Sequence, residues 1–223
     1  ENELTDGASN ILADNAPDAI ELEILKGAFQ SVANEMALAV ELAAYSLAIT
    51  EGRDFSGSLY DSDGSLVSQG QEDLPVHVGT AQHTVRSVME TIGVDQMKNG
   101  EVFIMNDPFL GGTHVNDVRL VMPVFDAGEV VAFLASTGHW TDVGGMVPGS
   151  FCQEGRECFQ EGLRITPATI VDESGDINHQ LLQLIKANVR MPDESEGDLR
   201  AQIAACRAGH RRLVELIEKY GME

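Results

Sequence analysis

The clearest strand pattern of the chain is Val118-Arg-Leu-Val-Met-Pro-Val-Phe125, followed by Asp126-Ala-Gly-Glu129 and Val130-Val-Ala-Phe-Leu-Ala-Ser136. Two apolar runs of strand length flank a short turn sequence that contains glycine. This pattern is typical of a β-hairpin of two apolar strands. The sequence therefore predicts a hairpin here, the second one along the chain.

The turn of this hairpin determines which residues meet at its open end. If Phe125 pairs with Val130 across the turn, the register continues outward until Asp117 lies opposite Gly138. His139 then lies beside Asp117, although the two are far apart along the chain. The hairpin thus predicts a carboxylate and an imidazole at one place.

A second imidazole reaches the same place from the loop before the hairpin. His114 lies three residues before Asp117 and follows Gly111 and Gly112, which permit the loop to fold back. Two histidines and one carboxylate leave open coordination positions, which suits a catalytic divalent ion. Taken singly, Asp117 could simply begin a strand and His139 could be a hydrogen-bonded core histidine. Their joint placement favours a metal site.

Two further residues are candidates on weaker grounds. Asp54 lies between Arg53 and Phe55 at the entry to an earlier hairpin. It could pair with Arg53, or it could be a fourth metal ligand or a base, and both interpretations remain open. His77 follows Pro75 at the start of a predicted helix and is a candidate for a position just outside the ligands.

The rest of the chain alternates between helical and strand periodicity, which predicts an α+β fold of mixed helices and β-hairpins. Residues 1–17 are polar and are expected to be flexible. Asp198 is expected as an N-cap or first-turn acid of the last helix. One long helix or two in tandem are predicted over residues 18–50. The other predicted elements are helices over 76–92, 178–189 and 198–220, strands over 102–105, 118–125 and 130–136, and a hairpin over 53–69.

Charge excludes several classes of function. The 223 residues include 36 Asp and Glu but only 14 Lys and Arg, so the net charge is −22. Binding to nucleic acid or to an anionic membrane surface requires clustered Lys and Arg, which this sequence lacks. A strongly anionic, lysine-poor surface favours a protein from a salt-rich setting, a halophilic protein, with an ordinary acidic cytosolic protein as the alternative.

Cysteines and apolar runs indicate the compartment. Cys152, Cys158 and Cys206 are odd in number and lack the CxxC spacing, which predicts reduced thiols and a cytoplasmic location. No apolar run approaches the ~18 residues of a membrane span. No secretory signal is visible in the acidic N-terminus, and the chain starts at Glu1, as expected of a trimmed chain. Walker, GxGxxG and GxSxG motifs are also absent, so nucleotide binding by a phosphate loop and serine hydrolysis have no support.

Several motifs occur in one order over almost the whole chain, and together they resemble the hydantoinase B/oxoprolinase family. The resemblance covers residues 18–221. The motifs are Arg53-Asp-Phe-Ser56, Pro75-Val-His77, Asn106-Asp-Pro-Phe-Leu-Gly-Gly-Thr-His114, Gly138-His-Trp-Thr-Asp-Val-Gly-Gly145, Pro148-Gly-Ser150, Glu161-Gly-Leu-Arg-Ile165, Asn188-Val-Arg190 and Gly197-Asp-Leu-Arg-Ala-Gln202.

The resemblance implies a divalent metal, zinc or manganese, bound by His114, Asp117 and His139. Asp54 would be a fourth ligand or a catalytic base. The ion would activate water for attack on a cyclic amide, since it can lower the pKa of bound water towards ~7. Asp142 would be a catalytic carboxylate or a residue that orients the ligands.

The resemblance also implies that Asn106, Asp107 and His77 lie next to the ligands. The resemblance also implies an A-type partner subunit that binds ATP and Mg and phosphorylates the amide or ketone oxygen of a small-molecule substrate. The expected protein is a hetero-oligomeric hydrolase of C–N bonds in cyclic amides of the hydantoin or 5-oxoproline type.

Several alternatives remain open. Carboxylases of acetone and acetophenone belong to the same family, and nothing near Trp140 separates the two reactions. Two histidines and a carboxylate also occur in non-haem iron oxygenases, although their usual spacing is His-x-Asp rather than His114-x-x-Asp117. The family's B-type subunits are more than twice as long, so residues 18–223 are expected to be the N-terminal portion of a catalytic domain. A truncated piece with a structural or assembly role is the non-enzymatic alternative.

Overall fold

The structure, a computed structural model, describes residues 18–221. The predicted flexible segment 1–17 lies outside the described residues. Six antiparallel strands form one sheet and helices cover both of its faces, which confirms the predicted α+β class. Between residues 18 and 221, no helix is both long and apolar enough to cross a membrane.

The elements agree with most of the predicted ones. The helices are α1 (Ala19–Ala43), α2 (Leu47–Thr50), α3 (Pro75–Ile92), α4 (His179–Asn188) and α5 (Pro192–Tyr220). The strands are β1 (Phe55–Asp61), β2 (Leu66–Gln69), β3 (Val102–Met105), β4 (Asp117–Asp126), β5 (Glu129–His139) and β6 (Ala168–Val171). Three single turns of 3₁₀-helix lie in the connecting segments.

The predicted hairpin over 118–136 is β4–β5, and the structure places it in the middle of the sheet. The strand order is β2-β1-β5-β4-β3-β6. Val118 and Leu120 of β4 belong to a core shared with α1 and α5, whereas Val121 packs with residues of α3 on the opposite face. Because helices cover both faces, β4 is a nearly continuous apolar run rather than an alternating one.

Close packing of α1 depends on two glycines. A Cβ at Gly57 of β1 would lie 2.8 Å from the Cβ of Met36 and 3.0 Å from the backbone oxygen of Ala33, both in α1. A Cβ at Gly209 of α5 would lie 2.6 Å from the sulfur of Met36. The fully buried Met36 therefore fills the space that the two missing side chains leave.

The predicted register of β4–β5 was wrong by one residue over most of its length. Phe125 does pair with Val130, but the register shifts between Val124 and Phe125. Beyond this bulge Asp117 lies directly opposite His139 rather than opposite Gly138. A bulge inserts one residue into one strand, and the apolar pattern on both sides of the hairpin does not reveal it.

The predicted role of Asp198 was also wrong. Helix α5 begins at Pro192, with Asp193 and Glu194 in its first turn, so Asp198 lies well inside the helix. Its buried carboxylate accepts hydrogen bonds from the backbone N–H groups of Tyr45 (2.7 Å) and Ser46 (3.0 Å), at the junction of α1 and α2. Asp198 thus binds the backbone between two other helices.

Strand β6 was not predicted. Three of its four residues pair with β3, and the sequence around it shows no long apolar run. The strand predictions were correct for β3 and for the first hairpin, while β4 and β5 extend further than predicted to include Asp117 and His139.

Substitution of Gly57 by alanine tests the contact between α1 and β1. We expect Gly57→Ala to lower the free energy of unfolding by about 1–3 kcal/mol, because the added methyl group would overlap Met36 and the α1 backbone. The matched control is Gly27→Ala in α1, where nothing lies within 4 Å of the added Cβ. That variant should be neutral or stabilised by about 0.5–1 kcal/mol. Urea titrations followed by circular dichroism measure both, and equal stability of the two variants would contradict this packing.

Candidate metal centre

Three strands and one helix bring polar side chains together at the open end of the β4–β5 hairpin. Asp117 begins β4 and His139 ends β5, and the two residues form the last pair of the register. The backbone N–H of His139 donates to the carbonyl oxygen of Asp54 at 2.9 Å. Asp54, which directly precedes β1, therefore lies at the same end of the sheet as Asp117 and His139. His77 comes from the first turn of α3.

The side-chain donor atoms of these residues converge. His139 Nδ1 lies 3.0 Å from Asp117 Oδ1, 3.1 Å from His114 Nε2 and 3.7 Å from Asp54 Oδ2. His114 Nε2 lies 3.3 Å from the same oxygen of Asp117. Two histidines and two carboxylates therefore point at one spot, and the structure brings together all four residues that the sequence suggested as ligands.

His77 lies behind the two carboxylates. Its Nε2 atom is 3.4 Å from Asp54 Oδ1 and 3.4 Å from Asp117 Oδ2, and the side chain is 1% exposed. Its other ring nitrogen, Nδ1, is buried without a hydrogen-bond partner among the described residues. Nε2 thus lies close to both carboxylates, and His77 stays a candidate for a residue that orients the ligands.

Asp54 does not form an ion pair with Arg53 in the structure. Arg53 pairs with Glu72 at 2.6 Å and with Glu41 at 3.5 Å, whereas the ionic neighbours of Asp54 are His77 and His139. Arg53 has a positive φ of 54°, a conformation that non-glycine residues rarely adopt. This turn at the end of α2 directs the following residue, Asp54, towards the candidate site.

Asn106 and Asp107 fix the loop that carries His114. The amide of Asn106 donates to the carbonyl oxygens of Val115 (2.6 Å) and Leu163 (2.9 Å), and its oxygen accepts from Ile165 N–H. Asp107 accepts from the N–H of Phe109 and begins a 3₁₀ turn. Neither residue has a described contact with the carboxylates, so their contribution to the site is to hold the loop.

Arg119 is a residue that the sequence analysis missed. It is fully buried two residues after Asp117, and its guanidinium donates to the carbonyl oxygen of Gly111 and to the hydroxyls of Thr80, Thr84 and Thr113. Thr113 in turn donates to Asp117. A charged residue inside an apolar strand was the available signal, since such groups are buried only when they are paired.

Hydrogen bonding keeps Asp117 ionised. Burial would raise the pKa of its carboxyl group, but donors from His139, His77 and Thr113 hold the pKa well below its usual range. Burial lowers the pKa of His114, although the nearby Asp117 acts in the other direction. The site thus combines a carboxylate with a neutral imidazole, which are the protonation states that bind a metal.

Asp142 is not part of this cluster. Its carboxylate accepts from the N–H groups of Gly144 and Gly149 and from both the backbone and the guanidinium of Arg190. Burial would raise the pKa of Asp142, and these donors lower it. All of these contacts organise the glycine-rich loop after β5, so the structure assigns Asp142 to the loop.

An aromatic side chain borders the open side of the cluster. The ring of Phe151 lies 5.9 Å from that of His114 and 6.0 Å from that of His139, and Phe151 is 69% exposed. A cavity of about 190 Å³ opens here, lined by His114, Asn116, Ser150, Phe151, Cys152, Gln153 and Glu161. The cluster is therefore buried on the α3 side and accessible on the His114 side.

The donor set fits a divalent cation. Among the described residues, ligand atoms of His114, Asp117 and His139 lie within 4.8 Å of one another, and so do those of Asp54, His77 and Asp117. The separations of 3.0–3.7 Å match those between donors bound at about 2.0–2.2 Å around one ion. A cation would also relieve the close approach of the two histidine nitrogens and the two carboxylates.

Comparison with known proteins gives the relatives of this chain. A family model described as hydantoinase B/oxoprolinase matches residues 18–223. The beta subunit of caprolactamase from Pseudomonas jessenii is 35% identical over 209 residues, which cover 94% of this chain and 36% of that relative. 5-Oxoprolinase 1 of Arabidopsis thaliana is 33% identical over 222 residues, covering 95% of this chain and 17% of that protein. The chain thus spans well under half the length of these relatives.

Solved structures share the fold. The crystal structure of an ATP-dependent caprolactamase from Pseudomonas jessenii superimposes with a TM-score of 0.82 at 33% identity, over 93% of this chain and 35% of that chain. A nucleotide-free acetone carboxylase superimposes with a TM-score of 0.85, over 95% of this chain and 28% of that chain. At 21% identity this second likeness shows the fold alone. The family match over almost the whole chain establishes that it belongs to the hydantoinase B/oxoprolinase family.

Proposed function

We propose that this chain is the metal-binding portion of the B-type subunit of an ATP-dependent cyclic-amide hydrolase. The observation that carries the proposal is the convergence of two imidazoles and two carboxylates beside an accessible cavity. Family membership supports the reaction class, because the relatives include a caprolactamase subunit and a 5-oxoprolinase. The substrate is accordingly a small molecule with an amide bond in a ring.

One divalent ion, zinc or manganese, would be held by His114, Asp117, His139 and Asp54. When bound, such an ion polarises a carbonyl oxygen and lowers the pKa of water. Ligand atoms of the other three residues lie within 3.7 Å of His139 Nδ1, which supports one ion rather than separate sites. Asp54 is the more exposed of the two carboxylates, so it is the better candidate for a base that takes up a proton.

The other residues position these groups. His77 bridges Asp54 and Asp117, and Arg119 holds Thr113, whose hydroxyl donates to Asp117. Phe151 offers an apolar face beside the open side of the cluster. A ring of the substrate can pack there while its amide faces His114.

ATP would be used by a partner. The chain contains no phosphate-binding loop motif, and two relatives are themselves named as subunits, the beta subunit of a caprolactamase and the B-type subunit of a D-/L-hydantoinase. We infer that ATP and Mg are bound by an A-type subunit, which phosphorylates the amide oxygen of the substrate in a hetero-oligomer. The three cysteines are free thiols, which supports the cytoplasm as the compartment.

Metal content is the direct test of the site. We expect the purified chain, dialysed after loading with Mn²⁺ or Zn²⁺, to retain about one ion, and His114→Ala to retain only background, because one of the two imidazole ligands is lost. Inductively coupled plasma mass spectrometry measures both. His114 is half-exposed, so the variant should keep the wild-type circular dichroism spectrum.

The matched control is His83→Ala, which removes an exposed histidine of α3 outside the cluster. It should bind as much metal as the wild type. Metal-free wild-type protein after loading, or equal retention by the His114 variant, would reject the site.

Activity of the assembled protein decides between hydrolysis and carboxylation. With the A-type subunit, ATP and Mg, we expect ring opening of a lactam, hydantoin or 5-oxoproline without any need for bicarbonate. Asp54→Asn should lower kcat about a hundredfold or more if Asp54 acts as the base. Chromatographic detection of the ring-opened acid measures the rate. Consumption of bicarbonate with acetone or acetophenone would instead establish the carboxylase alternative.

A further inference from the structure

Arginines gather in one cavity of this acidic chain. A cavity of about 440 Å³ lies between α5 and the segment that joins β6 to α4. It shares no lining residue with the candidate metal centre. Its lining residues are Gly175, Asp176, Ile177, His179, Arg200, Ile203, Ala204, Arg207 and Arg211.

The spacing along α5 builds this cavity. Arg200, Arg207 and Arg211 lie seven and four residues apart, so all three project from one face of the helix. Ala204 lies on the same face between them and is too short to cover the gap. Three guanidinium groups therefore surround a space that no side chain of α5 fills.

Two of these arginines lack an acidic partner. Five of the ten arginines, including Arg200, form ion pairs with carboxylates, but Arg207 and Arg211 have none within 4.0 Å in residues 18–221. Asp176 is the single acid among the lining residues, against three arginines. Like charges four residues apart on a helix repel each other, so this pair is unfavourable without an anion.

Contacts within the cavity hold one guanidinium in place. Arg207 Nη2 donates to the carbonyl oxygen of Gly175 at 2.8 Å, across the cavity from α5. Arg200 donates through Nε and Nη2 to Glu196, which leaves Nη1 outside these bonds. His179 adds a titratable ring on the opposite wall. The possible donors to a ligand thus come from α5 and from the start of α4. Their hydrogen bonds orient Arg200 and Arg207 before any ligand binds.

We propose that this cavity binds a phosphate-bearing anion. Two unneutralised guanidinium groups require about two negative charges, which a phosphate monoester carries at neutral pH and a single carboxylate does not. Planar guanidinium forks also match the oxygens of phosphate. The net charge of −22 opposes anion binding to the chain as a whole, and at this cavity three arginines against one lining acid act in the opposite direction. The inference does not depend on the proposed reaction.

Calorimetric titration of the full chain with inorganic phosphate and pyrophosphate tests the proposal, in EDTA and at low salt so that no metal contributes. We expect saturable binding of one anion per chain. Ala204→Glu should weaken the affinity about tenfold or more, because it places a carboxylate between the arginines. Ala204→Gln has nearly the same size and no charge, and it should bind within about twofold of the wild type. Ala204 is exposed, so both variants should fold.

A second pair of variants separates the cavity from the overall charge. Arg207→Ala combined with Arg211→Ala should abolish binding. Arg86→Ala combined with Arg156→Ala removes the same charge from other surfaces and should not. Absence of saturable binding to either anion, or equal effects of the two double variants, would overturn the proposal. So would equal affinities of the A204E and A204Q variants.

Discussion

The pairing of Asp117 with His139 is the constraint on which the candidate site depends. It is the last pair of the β4–β5 ladder, and the bulge between Val124 and Phe125 puts both side chains on the face that α3 covers. Strand β1 then pairs with β5 so that Phe55 lies opposite Gly138, and this register brings Asp54 beside His139. A shift by one residue would turn every one of these side chains to the opposite face.

Polar residues within α5 hold this end of the sheet from the other face. The amide of Gln202 donates to the carbonyl oxygen of Val118 in β4 and accepts from the indole N–H of Trp140 just after β5. Gly138 leaves the room that Gln202 needs, since a Cβ there would lie 3.0 Å from its amide carbon. These contacts satisfy the backbone where the ladder ends, because unsatisfied buried groups are costly.

Much of this arrangement could be predicted from the sequence. Apolar periodicity predicted the main helices and the β4–β5 hairpin, and the spacing of His114, Asp117 and His139 around glycines predicted the candidate ligands. The bulge could not be predicted, because one inserted residue leaves the apolar runs of a doubly covered strand unchanged. Arg119 was missed for a different reason. Its partners lie in α3 and in the 111–113 loop, and no local pattern predicts contacts between segments so far apart.

The contacts of buried polar residues in α5 are equally hard to predict from the sequence. Asp198 precedes an apolar helical pattern, as an acid at the start of a helix does. It nevertheless binds the backbone of Tyr45 and Ser46, more than 150 residues away in sequence. Local propensity describes what a residue can do within its own helix. Tertiary contacts decide whether it does so.

The position of Gln202 has a consequence for how the protein is made. During synthesis, Asp54, His114, Asp117 and His139 leave the ribosome well before α5 does. At that stage Gln202 is not yet present to contact the end of the sheet. The finished arrangement of the four side chains therefore has to await synthesis of α5, whose Gln202 closes this end of the sheet.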